Sequence, residues 1–145
     1  MSAVDAHAKH RAREAALQML YQCEVGKAGA YESIETYWPS RDAEDAMPES
    51  LREFANGVVR GTLERQPEID RMLQAHAQNW RIERMNVIDR LVLRMSVYEM
   101  LTQAETPSKV IINEALELAR SFSGEEAVGF VNGVLDAVRK ELRRS

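Results

Sequence analysis

The stretch that most constrains this chain is Pro107 to Val138, PSKVIINEALELARSFSGEEAVGFVNGVLDAV, whose apolar residues recur at helical rather than strand spacing. On a helical wheel Ile111, Ile112, Ala115, Leu118, Ala119 and Phe122 share one broad face. Asn113, Glu114, Glu117 and Ser121 lie opposite, as in a helix against a core. Pro107 suits its start, because proline tolerates a first turn and disfavours helix before itself, and Ser123-Gly124 suits its end. Glu125 and Glu126 then open a second helix, where carboxylates meet the positive end of the helix dipole. Val128, Val131, Val134, Leu135, Val138 and Leu142 form its apolar stripe.

The other side of this second helix is unusual. Gly129 and Gly133 lie four apart on it beside Asn132, with Phe130 at the stripe's edge. A mid-helix glycine costs about 0.5 to 1 kcal/mol relative to alanine, so bare backbone there needs a reason. One reason is close packing by another helix. The other is a ligand, since a flat ring beside exposed backbone is a surface on which an RNA base can stack.

The rest of the chain reads as helices too. A first helix is expected from Ala12 to Val25, stopped by Gly26, with Ala16, Leu17, Leu20 and Cys23 inward. Arg13 falls between Leu17 and Leu20 on the wheel, so its charge must leave past the helix end or find a carboxylate. Tyr21 sits at the stripe's edge, either as a core-edge ring or as a surface for a partner. Tyr31 to Trp38 is a short helix ended by Pro39, and residues 39–49 form an acidic, proline-bounded surface loop. Ser50 with Glu53 has capping-box spacing ahead of Leu51, Phe54, Val58, Val59 and Leu63. Pro67 opens a helix burying Ile69, Met72, Leu73 and Trp80. From Arg84 to Thr102 the pattern is apolar nearly all round, the mark of a central helix, with Asp89, Ser96 and Glu99 as a polar strip. Internal ion pairing accounts for Arg94 and Glu99, while Asp89 suits an internal or an external partner equally.

No strand pattern competes with this, so the fold class is all-α. At 145 residues the chain fits a single domain with a full core. It has no signal-like N-terminal apolar block and nothing near the roughly 18 apolar residues of a membrane span, so a cytoplasmic protein is expected. The single Cys23 cannot form an internal disulfide and is expected to be buried and reduced. Isolated His7, His10 and His76 and the lack of a phosphate loop or nucleophile motif leave no catalytic, metal or cofactor site. The net charge of −4 argues against nonspecific nucleic-acid binding, but its distribution matters more than its sum. Lys9, His10, Arg11 and Arg13 make the flexible N-terminus (residues 1–10 and just beyond) basic, which suits either a solvated end or a phosphate contact.

Four segments in register carry a family resemblance: Arg11-Ala12-Arg13-Glu14 with Leu20-Tyr21, Ile88-Asp89-Arg90 through Tyr98-Glu99, Lys109 to Phe122, and Phe130-Val131-Asn132-Gly133-Val134-Leu135-Asp136. Together they resemble the NusB family of bacterial transcription antitermination factors, over nearly the whole chain. The resemblance implies about seven helices in two roughly perpendicular bundles and a non-enzymatic adaptor without cofactors. It implies binding of boxA RNA in nascent ribosomal RNA transcripts together with ribosomal protein NusE, in an RNA polymerase antitermination complex with other Nus factors. The RNA site is then expected on Lys9, His10, Arg11, Arg13, Tyr21, Phe130 and Asn132, and the NusE surface near Asp89 and Glu126. The family usually carries Arg or Lys where this chain has His10, which makes one phosphate contact weaker or pH-dependent. Some relatives pair, so monomer and homodimer both stand. A related helical domain accompanies RNA cytosine methyltransferases, and an accessory RNA-binding domain of such a system is the alternative reading.

Overall fold

The computed structural model describes residues 3–41, 47–77 and 81–145, with side chains from residue 9 onward; Trp80 and most of the acidic loop lie outside them. The described residues form seven α-helices and no strand, as the all-α reading expects: α1 Ala3–Val25, α2 Ala30–Tyr37, α3 Glu49–Glu64, α4 Gln66–His76, α5 Val87–Thr102, α6 Ser108–Phe122 and α7 Glu125–Glu141. Internal contacts divide the chain into two compact units, Met1–Leu63 and Glu64–Ser145.

In the first unit α1 begins at Ala3, nine residues ahead of the expected Ala12, so the basic segment is helical rather than a loose end. Between Ala12 and Leu20 nearly every side chain of α1 is buried, including Ala15, Leu17 and Met19. Cys23 is only half-buried, its Sγ 3.3 Å from Ser33 Oγ. Pro39 does not end the chain's helical course but sits within a 3-10 turn, Trp38–Ser40. Helix α3 starts at Glu49, one residue before the expected cap Ser50, because the Pro48 carbonyl already accepts from Leu51 and Arg52 N–H. Met47, in the loop expected to be purely surface, is buried.

The second unit is built around α5, which packs against α4, α6 and α7. Its residues from Arg90 to Val97 are buried without a break, as an all-round apolar helix requires. Asn86 caps it, its Oδ1 accepting from Ile88 N–H at 2.8 Å. Arg94 is buried and pairs bidentately with Asp70 of α4 at 2.8 and 2.9 Å, the internal ion pair the sequence suggested. Arg90 donates to the Ile82 and Met85 carbonyls and so closes the 3-10 turn Ile82–Arg84. Pro107 precedes α6, and Gly124, at φ +154°, makes the break before α7, a conformation that side-chain-bearing residues rarely adopt. Phe122, expected on the buried face, is 39% exposed at the last turn of α6.

Candidate nucleic-acid interface

Helix α1 arranges its four basic side chains by helical phase, and they do different things. Lys9 and Arg13, one turn apart, both approach the Phe54 ring of α3, at 5.2 and 5.4 Å from its centroid. Arg13 is only 3% exposed. The charge the wheel placed inside thus lies against an aromatic face. His10 Nε2 lies 3.2 Å from Glu14 Oε1, an i,i+4 pair. Arg11, half-buried, lines a cleft with Gln18, Tyr37, Trp38 and Arg41. Tyr21 is 42% exposed, on the surface rather than at a core edge, and borders an open groove with Gln22, Val25 and Glu32.

On α7, Gly129, Asn132 and Gly133 are exposed and Phe130 is half-buried. A Cβ added at Gly129 or Gly133 would meet no atom within 4 Å. Close packing by another helix of the second unit therefore does not explain these glycines, among the described residues.

Of the two residues expected to meet a protein partner, Asp89 stands in the first turn of α5 with its Oδ1 buried and without a hydrogen bond. Glu126 is exposed in the first turn of α7. Its neighbour Glu125 is engaged instead by Arg120, whose Nε donates at 2.9 Å and whose other arm reaches Glu117 at 2.7 Å. The hydrogen bond from Arg120 to Glu125, then their Coulomb attraction, raises the guanidinium pKa further above its usual range. Arg120 thus ties α6 to α7 across the Gly124 break, and the two carboxylates are not equivalent.

Sequence reasoning missed Trp38, Arg41 and Gln18 as surface-cleft residues and Arg144 as a staple. Trp38 and Arg41 lie in segments that read as a short helix and a connecting loop. The Arg144 guanidinium donates to Ser108 Oγ and to the carbonyls of Met100, Gln103 and Thr106. Among the described residues no group of three or more His, Cys, Asp or Glu is placed to hold a metal ion. None of their helices is long and apolar enough to cross a membrane.

The model of the NusB family matches residues 10–140. The chain belongs to the NusB family. It is 48% identical to the transcription antitermination protein NusB of Solibacter usitatus over 134 residues, covering 92% of this chain and 90% of that one. The NusB structure from T. maritima is similar with a TM-score of 0.81 at 31% identity, over 92% of this chain and 91% of its own. A crystal structure of the antitermination factors NusB and NusE in complex with double-stranded RNA contains a chain of like fold, with TM-score 0.83 and 23% identity over 93% and 98% of the two chains. The relatives named are antitermination proteins, not enzymes. The fold expected from the NusB resemblance is the one found, as far as helix number and class go.

Proposed function

We propose that this NusB-family chain is an RNA-binding transcription antitermination factor of the cytoplasm, which binds boxA RNA of nascent ribosomal RNA transcripts together with NusE in a polymerase-bound antitermination complex. The observation that carries this reading is the match to the NusB family over residues 10–140, joined to antitermination proteins as close as 48% identity. The solved assembly of NusB and NusE with RNA gives a relative of the same fold the same two kinds of partner.

Each unit contributes its own features. On the first, Lys9, His10 and Arg11 hold phosphates while the Tyr21 ring is exposed for stacking; Arg13 supports Lys9 from behind through Phe54. On the second, Phe130 stacks and Asn132 reads a base edge beside the open backbone of Gly129 and Gly133. Asp89 and Glu126 meet basic side chains of NusE, where charge complementarity sets rate and specificity more than affinity. Titrating labelled boxA RNA and a scrambled strand of equal length tests this. Tighter binding of boxA is expected, and equal binding of both strands would overturn the boxA assignment.

A further inference from the structure

Side chains from the short helix, the connecting loop and α1 meet in a cleft of about 170 Å3 on the first unit, lined by Arg11 and Gln18 of α1, Tyr37 and Trp38 at the end of α2, Arg41, and Met47. The two rings stand edge to face, centroids 4.9 Å apart at 89°. Neither ring is loose. Trp38 Nε1 donates to Asn56 Oδ1 at 2.9 Å, Arg52 lies 5.5 Å from the indole, and the Tyr37 hydroxyl donates to Gln18 Oε1. With its oxygen so engaged, the Gln18 amide keeps donor capacity on its nitrogen. Arg41, exposed, lies 4.8 Å from the Tyr37 ring centroid. Glu14 also lines the cleft, its Oε1 3.2 Å from His10 Nε2.

A bare phosphate would need the arginines but not the rings, and an apolar ligand would need the rings but not the arginines. The Tyr37 ring is buried and braces Trp38 edge to face, so that a fixed, half-buried indole wall, two guanidinium groups and an amide together suit an unpaired nucleotide, base against ring and phosphate against cation. We propose that this cleft takes one unpaired nucleotide of an RNA strand that runs along α1, its base against the Trp38 ring and its phosphate on Arg41 and Arg11. The proposal rests on the RNA-binding reading above and adds α2 and Arg41 to it.

The test uses the full chain and a boxA strand carrying 4-thiouridine at unpaired positions, photo-crosslinked and mapped by peptide, alongside affinity titrations of Arg41→Glu and Arg11→Ala. Adducts at Trp38 are expected, with Arg41→Glu weakening binding about tenfold at an unchanged melting temperature. Adducts found only elsewhere, or Arg41→Glu binding like the wild type, would overturn the cleft while leaving the RNA reading intact, since the wild-type chain would still bind the strand. A wild-type chain that binds no RNA would overturn both. Because the crosslink is mapped on the wild-type chain, the outcome does not depend on any variant folding.

Discussion

Gly129 and Gly133 separate folding from function at the scale of single residues. Among the described residues of the second unit nothing occupies the space a methyl group would fill, so Gly129→Ala and Gly133→Ala should each stabilise the fold by about 0.5 to 1 kcal/mol, read by thermal or urea unfolding. If the bare backbone serves a ligand, the same variants should weaken RNA binding. Stabilised variants with unchanged affinity would show the strip to be idle. Arg11 and Phe130 should fail differently. Arg11→Ala should flatten the dependence of affinity on salt, because fewer counterions are released, while Phe130→Ala should lose about 1 to 3 kcal/mol at a nearly unchanged slope. Titrations at several salt concentrations distinguish them, and identical slopes would contradict the division of labour. The sequence did mark Arg13 as a misplaced charge. That its partner is the Phe54 ring was not legible, because wheel position says which way a side chain faces and not which distant segment it meets.

Among elements, the second unit depends on two arginines. Asp70→Ala strips the bidentate carboxylate from the buried Arg94 and should cost about 3 kcal/mol in chemical denaturation, whereas an exposed ion pair would cost under about 1. Arg144→Ala should cost about 2 kcal/mol, since its guanidinium serves carbonyls around the α5–α6 connection. It can do so because Arg143, at φ +57°, turns the chain back after α7. Near the end of α7 the hydrogen bond from Arg139, then that from Lys140, lowers the Asp136 carboxyl below its ordinary 3.8. A carboxyl depressed by folding contributes stability above its unfolded value and loses it as pH falls through the folded one. The stability difference between wild type and Asp136→Asn should therefore shrink as the pH is taken from neutral to below 3.8. A difference that grows instead would contradict the direction. Helix α5 was legible as central because its apolar residues leave only a narrow polar strip. Its Asn86 cap and the early start of α1 were not, since a cap is one hydrogen bond and the residues ahead of Ala12 carry no apolar period.

At the scale of the whole molecule, helix count and class follow from apolar spacing, and the NusB family from four ordered segments. The division at Leu63 does not, because α3 and α4 follow one another with only Arg65 between them and no linker composition marks the boundary. The protein partner is the property the fold alone leaves most open, and Asp89→Lys addresses it: NusE binding should weaken with the circular dichroism spectrum unchanged, and undiminished binding would move the interface elsewhere. The account as a whole stands on RNA and NusE acting together. Its most direct test is a titration of boxA RNA with the chain alone and with NusE present. Modest, salt-sensitive binding alone and binding at least about tenfold tighter with NusE is the result expected, the extra contact being worth about 1.4 kcal/mol. Equal affinity with and without NusE, or no binding in either case, would contradict it.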